Sequence, residues 1–165
     1  MPCACKNQPA NVPENMEWGP VFWRFLHALA ERAGSAPMPG LRGDETRAWR
    51  TILTTLGKTL PCDDCRAHCV GYLAAHPVNL PDNYADLREY IRRWLYDFHS
   101  EVNLRLGKCV FDYALLGPTY GAVPLRQTFN ILEVLIKRSI LGAALPLMSW
   151  TNWSKHAKIL LGMYT

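Results

Sequence analysis

The residues of this 165-residue chain best suited to chemistry are its six cysteines, and their spacing is uneven. They form a CxC pair, a CxxC pair and two single residues: Cys3 and Cys5, Cys62 and Cys65, and Cys69 and Cys109. Closely spaced cysteine pairs are typical of redox or metal chemistry rather than of structural disulfides. The sequence therefore directs attention first to these two pairs.

The CxxC pair, Cys62 and Cys65, is compatible with a zinc site that would also use His68 and Cys69. A structural zinc site usually adds a second pair of ligands far along the chain, and here only Cys109 and scattered histidines are available. A thioredoxin-like site would need a strand before the helix, whereas the preceding segment has a helical pattern. Both alternatives are disfavoured.

A third interpretation is a dithiol or disulfide at the start of a helix in an all-helical protein. Pro61, directly before the pair, suits a first helical turn. The free N–H groups and the dipole at a helix N-terminus favour a thiolate and so help thiol–disulfide exchange. The plain alternative is that Cys62 and Cys65 are two buried thiols side by side.

The CxC pair, Cys3 and Cys5, lies in residues 1–16, which are rich in Pro, Asn and Ala and have no periodicity. This composition predicts a flexible arm, where a cysteine pair does not stabilise a core. We interpret it as a shuttle disulfide that exchanges with the CxxC pair; the alternative is a chance pair near the terminus. A flexible segment of that length spans roughly 20 Å, enough to reach a site in the same subunit or across a dimer interface.

Electrons collected by a dithiol need an acceptor, and the chain has no Gly-x-Gly-x-x-Gly fingerprint of a Rossmann fold. Two pairs of residues at i,i+4 spacing offer flat rings and hydrogen-bonding edges instead: Trp23 with His27, and His99 with Asn103. The alternative is that Trp23 belongs to the core and both histidines are partly exposed.

Apolar residues recur at helical spacing through most of the chain, and no strand alternation appears in residues 17–116. The pattern predicts helices over 17–33, 44–57, 61–76 and 83–106, a short fifth helix over 110–116, and further helices over 129–142 and 154–163. The predicted fold class is therefore all-α, a four-helix bundle with a short fifth helix.

Charge and hydropathy exclude several classes of protein. Residues 1–125 hold thirteen basic and thirteen acidic side chains, whereas residues 126–165 hold five basic and one acidic, which accounts for the net charge of +4. The neutral body argues against nucleic acid as the main partner. We also expect neither a signal peptide nor a transmembrane segment, because the start lacks an apolar run and the longest such run, 140–148, is too short.

Three segments together resemble the Erv/ALR family of FAD-linked sulfhydryl oxidases, in that family's order and spacing. They are Trp18-Gly19-x-x-x-Trp23-x-x-Leu26-His27-x-x-Ala30, Pro61-Cys62-x-x-Cys65, and Trp94-x-x-x-x-His99-x-x-Val102-Asn103-x-x-Leu106-Gly107-Lys108. The resemblance covers about residues 15–120. It implies a helical oxidase domain over 17–120, preceded by the arm (1–16) and followed by a C-terminal extension (121–165) of unknown role.

The resemblance also implies FAD in the core of the bundle, beside the CxxC helix. The residues it places around FAD are Gly19, Trp23, His27, Cys65, Tyr96, His99, Val102, Asn103, Lys108 and Tyr120. Among them, Lys108 falls where the family neutralises phosphate charge. No metal is expected.

By the same resemblance, Cys62 and Cys65 are the catalytic pair. A substrate dithiol reduces the shuttle disulfide or attacks the core disulfide directly. The attack falls on Cys62, the outer cysteine, and Cys65 is released as a thiolate beside the flavin, which passes two electrons to oxygen and yields hydrogen peroxide. The implied partners are protein dithiols, such as a thioredoxin-like relay, and a second subunit bound through the first two helices. The implied location is host cytoplasm or virion for a viral protein, otherwise the mitochondrial intermembrane space.

The sequence departs from the family pattern at several positions. Ser100 follows His99 where the family usually has Asn, and Tyr96 and Tyr113 occupy the positions of a structural disulfide, so a buried tyrosine pair is expected to replace it by packing. A Cys69–Cys109 disulfide is one alternative for the two extra cysteines, and two free, buried thiols are the other. The apolar stripe of the 121–165 extension needs burial, on the bundle or against a partner.

Overall fold

The structure, a computed structural model, describes residues 12–165, and within this range it is all-helical. Seven α-helices follow one another: α1 (Asn15–Ala30), α2 (Arg42–Thr54), α3 (Asp63–Ala75), α4 (Leu87–Arg105), α5 (Leu116–Tyr120), α6 (Leu125–Leu141) and α7 (Leu147–Tyr164). Short 3-10 turns precede α2, α4 and α5 and follow α2. The predicted helical fold class is confirmed. No helix of the described residues combines the length and apolarity needed to cross a membrane.

Helix α1 lies at the centre of the molecule and packs against α4 and α6. Its apolar residues recur every three or four positions, so one broad face is buried, with Phe22, Phe25 and Leu29 almost fully enclosed. The helix begins at Asn15, within the last residues of the predicted arm. At this end the Glu17 carboxylate accepts the backbone N–H of Glu14 at 3.0 Å, which satisfies a donor that the helix leaves open.

Helix α4 follows its predicted stripe closely, with Leu87, Ile91, Leu95 and Phe98 buried in turn. Arg92, on an adjoining face, forms an ion pair with Glu31 at the end of α1, with an N–O distance of 2.8 Å. Both of these side chains are largely buried, so the pair fixes how α4 crosses α1.

The segment 121–165 is part of the core. Helix α6 packs on α1 and α7 packs on α2. The Trp153 side chain has no exposed surface, and its indole N–H donates to the Ile52 carbonyl of α2 at 3.2 Å. The helix predicted over 154–163 begins too late: α7 starts at Leu147, directly after Pro146, a position that proline tolerates, and Trp150 lies inside the helix.

Other predicted boundaries also need correction: α4 begins at Leu87 rather than residue 83, and α6 at Leu125 rather than residue 129. Helix α1 ends at Ala30 rather than residue 33, because the chain turns there toward Gly34, whose φ of 75° favours glycine. The short fifth helix lies at 116–120, not 110–116. Pro118 stands in its first turn, where no intrahelical N–H is needed.

A buried carboxylate holds α2 to its surroundings. Glu45 has no exposed surface and accepts the backbone N–H groups of Gly34 (2.7 Å) and Ala36 (3.2 Å) together with the hydroxyls of Tyr84 and Tyr164. Because Tyr164 is the last residue of α7, this cluster fixes the C-terminal end of the chain to α2.

The tyrosine pair expected in place of the family's disulfide does pack together, but both residues are partly exposed, so the prediction that it is buried is wrong. The rings of Tyr96 and Tyr113 meet edge to face with centroids 5.0 Å apart, and Arg93 lies over Tyr113 at 3.7 Å. The Cys69–Cys109 alternative is not realised: both are free thiols, Cys69 buried and Cys109 exposed. The prediction that both are buried is therefore wrong for Cys109.

Candidate active site

The CxxC pair lies at the N-terminus of α3. Cys62 is the N-cap residue, and its sulfur accepts the backbone N–H of Cys65 at 3.3 Å. Cys62 is only 1% exposed, whereas Cys65 is partly exposed. If Cys62 is the outer cysteine, the side chains that cover it must move before a substrate thiolate can reach its sulfur.

Part of that cover is Asn15, the first residue of α1. Its side-chain amide nitrogen lies 3.5 Å from the Cys62 sulfur and 3.8 Å from the Cys65 sulfur, donating to both. The Trp18 indole N–H donates to the Asn15 side-chain oxygen at 3.1 Å, which turns the NH₂ group toward the two sulfurs. The sequence analysis assigns Asn15 no role of its own. The feature that could have pointed to it is Trp18, one helical turn further along α1, whose indole N–H can orient the Asn15 side chain.

A stack of aromatic rings forms further along α1. Trp23 and His99 lie face to face, 4.0 Å apart and inclined by 4°, and Tyr120 stacks on His27 at 4.9 Å. Between the two histidines the His27 Nε2 and His99 Nδ1 atoms are 2.9 Å apart, so one ring donates its N–H to the other. Helices α1, α4 and α5 thus converge on one site, and the predicted i,i+4 positions of Trp23 and His27 meet His99 there.

Both histidines of the stack are neutral at pH 7. Burial lowers the pKa of His27 to about 3, with a smaller contribution from the nearby His99. Burial, with a smaller contribution from the positive charge of Lys108, lowers the pKa of His99 to about 4. The stack therefore offers neutral hydrogen-bonding edges, with a cation close by.

A narrow crevice opens along this stack, bordered by both apolar and polar side chains. Its walls are His27, Tyr96, His99, Ser100, Asn103, Phe111, Leu116 and Tyr120. Lys108 and Arg24 are exposed near its rim, where their charges act on His99 and Tyr120. Flat rings, polar edges and two cations suit a dinucleotide such as FAD, and because Trp23 and His99 are in direct contact, a further ring would stack on the outside of the pair.

The other predicted FAD residues are distributed around this site. Val102 packs partly buried against the core next to Asn103, and Tyr96 uses its hydroxyl to donate to the Phe111 carbonyl at 2.8 Å. Gly19 lies on α1, where an added Cβ would meet nothing within 4 Å, so no close contact explains a glycine there. Cys3 and Cys5 lie outside the described residues. Sequence reasoning missed Phe111 and Leu116 because neither belongs to a motif.

One turn beyond Cys65, His68 is tied to α4 through Glu101. The His68 Nε2 atom lies 2.9 Å from the Glu101 carboxylate. The contact with Glu101 gives a structural role to His68, which the sequence analysis considered as a zinc ligand. Across residues 12–165, no group of three or more His, Cys, Asp or Glu side chains is arranged to hold a metal ion.

Comparison with known proteins points to one family. Residues 20–120 match the Erv1/Alr family. The FAD-linked sulfhydryl oxidase of African swine fever virus (isolate Pig/Kenya/KEN-50/1950) is 33% identical over 99 residues, which cover 60% of this chain and 76% of the relative. The mitochondrial FAD-linked sulfhydryl oxidase erv1 of Schizosaccharomyces pombe is 32% identical over 101 residues, covering 61% and 52%. No solved structure matches the chain.

Proposed function

This chain belongs to the Erv1/Alr family, and on that premise we propose that it is an FAD-dependent sulfhydryl oxidase that forms disulfide bonds in protein thiols. The observation that carries the proposal is that helix α1 contacts the CxxC pair at its first residue and contributes to the ring stack further along. Asn15 contacts both sulfurs, and Trp23 enters the stack eight residues later on α1. That separation is about 12 Å along a helix, which is within the length of a dinucleotide.

The residues of the CxxC pair carry out thiol–disulfide exchange. A thiolate attacks the Cys62 sulfur of the oxidised pair, forms a mixed disulfide with it, and displaces Cys65 as a thiolate. The free N–H groups of α3 and the amide of Asn15 stabilise the negative charge that develops there. A second thiol of the substrate then attacks the mixed disulfide, so the substrate leaves oxidised and the pair is reduced.

The side chains that border the crevice are chemically suited to contact FAD. Trp23, His99 and Tyr120 provide flat surfaces, Asn103 and the neutral histidines provide hydrogen-bonding edges, and Lys108 provides positive charge for a diphosphate. Bound there, FAD would supply an acceptor for the two electrons of the reduced pair that oxygen can reoxidise, with hydrogen peroxide as the product. The protein's part is to hold the rings, keep both histidines uncharged and present Cys65.

Protein dithiols are the proposed substrates, with Cys3 and Cys5 as a shuttle pair between them and the core. A thioredoxin-like relay and a homodimer remain predictions drawn from the family resemblance. The location is also a prediction: the relatives include viral and yeast mitochondrial proteins.

Oxygen uptake with dithiothreitol as the electron donor tests this proposal. The purified protein should consume oxygen and release hydrogen peroxide in equal amounts. Cys62→Ser and Cys65→Ser should each abolish the uptake, because either change removes the disulfide. Cys109→Ser, at an exposed free thiol, is the matched control and should keep it. Uptake that survives Cys65→Ser would contradict the proposal.

A further inference from the structure

The outward side of helices α6 and α7 carries a large share of the exposed apolar surface. Helix α6 packs on α1, α7 packs on α2, and α6 and α7 contact each other, so their opposite sides form one outer face. Within residues 12–165, half of the large apolar side chains that are exposed belong to these two helices: Ile131, Val134, Leu141, Leu147, Met148 and Ile159. Single exposed apolar residues are ordinary, but such a concentration on one face indicates an interaction surface.

The same outer face is basic. Helices α6 and α7 carry one acidic side chain, Glu133, which is partly buried and pairs with Lys137 and Lys158. Their basic side chains are all exposed: Arg126, Lys137, Arg138, Lys155 and Lys158. Among the ion pairs of the described residues, none includes Arg126 or Lys155. The charge of this face therefore complements an anionic partner.

The most exposed apolar side chains of this face lie at one end, on either side of the connection between the helices. Leu141, the last residue of α6, is 88% exposed, and Met148, in the first turn of α7, is 76% exposed. Lys137 and Arg138 lie one turn before Leu141 on the same helix. Apolar side chains next to cations are typical of surfaces that bind the interface of a bilayer, where the former enter the headgroup region and the latter meet anionic lipid.

Nucleic acid is another class of anionic partner, and this face suits it less well. Contacts to phosphate use cations, so they leave the exposed apolar side chains without a role. Stacking on bases needs exposed aromatic rings. Phe129, Trp150 and Trp153 of these helices are buried instead, and the Tyr164 hydroxyl is bonded to Glu45. The mixture of apolar and basic side chains therefore favours a lipid surface.

We infer that the outer face of α6 and α7 binds the surface of a bilayer containing anionic lipid, with Leu141 and Met148 entering the headgroup region. The connection between the two helices also contacts the CxxC helix, because Arg66, the residue after Cys65, donates to the Ala144 carbonyl at 2.9 Å. The bound protein would hold its CxxC pair near the membrane surface, where cysteines of membrane-bound proteins are within reach. That consequence rests on the proposed function, whereas the binding itself does not.

Flotation of the full chain with lipid vesicles tests the electrostatic part of this inference. The protein should float with phosphatidylcholine vesicles that contain about 30% phosphatidylserine and much less with phosphatidylcholine alone, and added salt should release it. Arg126→Gln/Lys155→Gln should weaken the binding about 25-fold, at about fivefold per cation. Arg50→Gln/Lys58→Gln, at two exposed cations outside these helices, is the matched control and should bind normally. No flotation with the anionic vesicles, or equal flotation with both kinds, would overturn the inference.

The apolar part is tested by shortening the two most exposed side chains. Leu141→Ser/Met148→Ser should weaken binding to the anionic vesicles about tenfold or more, because less apolar surface enters the headgroup region. Met38→Ser makes the same change at an exposed methionine before α2 and should leave the binding unchanged. Flotation of Leu141→Ser/Met148→Ser at the level of the unmodified protein would count against lipid binding by this face.

Two further outcomes would assign the face to another partner and so overturn the inference. One is displacement of the vesicles by an added DNA duplex that the apolar variant still binds fully. The other is a change of oligomeric state in the apolar variant, measured by light scattering, with its vesicle binding intact. Oxygen uptake with dithiothreitol, measured without vesicles, tests the proposed function separately. Its failure would leave the flotation result to decide on membrane binding.

Discussion

At the scale of single residues, the amide of Asn15 is a polar contact directly on the candidate redox pair. It donates toward two sulfurs, and the Trp18 indole fixes its orientation by occupying the side-chain oxygen. An N–H donor stabilises a thiolate more than a thiol, so this contact should favour the ionised, reactive form of the pair. It acts together with the helix N-terminus of α3, and the two contributions have the same sign.

Removing that donor should make the pair less reactive. In Asn15→Ala the reduced pair should react more slowly at neutral pH, because its thiolate loses a hydrogen bond and hydrogen bonds to charged groups are worth about 1.5–3 kcal/mol. The rate of alkylation of the reduced pair by iodoacetamide, followed against pH, measures the change. Asn130→Ala, at an exposed site on α6, is the control. An unchanged profile in Asn15→Ala would show that the amide does not act on the sulfurs.

The His27–His99 pair makes stability depend on pH. Both pKa values are lower in the folded chain, about 3 and about 4, than the ordinary value of 6.5. Between the folded and the ordinary pKa values, the unfolded chain binds more protons than the folded chain. The stability contributed by this pair is therefore fully present above about pH 6.5 and falls as the pH is lowered toward 4. We expect the free energy of unfolding to fall by at most about 1.4 kcal/mol per pH unit for each histidine.

Urea unfolding between about pH 7 and about pH 5 measures this slope. His99→Gln should reduce this slope by the contribution of one histidine, whereas His156→Gln, outside the stack, should leave the slope unchanged. Equal slopes in all three proteins would mean that the buried pair does not control this part of the pH dependence.

At the scale of helices, α6 and α7 differ most from the sequence-based expectation, because they are part of the core. Periodicity predicts α1 and α4 well, because long stripes of apolar residues repeat without interruption. The start of α7 was harder to place, because Pro146 marks either the end of one helix or the beginning of the next, and only tertiary packing decides. The burial of Trp153 against Ile52, 101 residues away, has no local signal in the sequence.

If α7 is part of the core, truncating its central tryptophan should be costly. Trp153→Ala should lower the free energy of unfolding by about 3–5 kcal/mol, as is usual when a large buried aromatic side chain is removed. Asn152→Ala, at the exposed neighbouring position, should change it by no more than about 0.5 kcal/mol. Urea or thermal unfolding compares the two. Similar, small effects in both variants would show that α7 is an appendage and not part of the core.

At the scale of the whole molecule, the matched family segment ends where the additional core begins. The match covers residues 20–120, which reach the last residue of α5, and α6 and α7 lie beyond it. The charge excess of the sequence belongs to these two helices, and part of it is paired: Glu133 contacts both Lys137 and Lys158. The chain thus combines a recognisable redox bundle with two helices that complete its core from within.

The sequence predicts the parts of the candidate site that depend on neighbouring residues, and not those that depend on contacts between residues far apart in the chain. The CxxC pair at a helix start, and the i,i+4 pairing of Trp23 with His27, are local features and were predictable. The contact of Asn15 with Cys62 joins positions 47 residues apart, and that between His27 and His99 joins positions 72 apart. Contacts of this kind depend on how helices cross, which no local pattern specifies.

The most direct test of the central claim is the visible absorption spectrum of the purified protein under an inert atmosphere. The account predicts a bound-flavin spectrum that bleaches when dithiothreitol is added and returns when air is admitted. It also predicts that Cys65→Ser binds the flavin but no longer bleaches with the thiol. A colourless protein, or a bound flavin that dithiothreitol leaves unchanged in the unmodified chain, would contradict it.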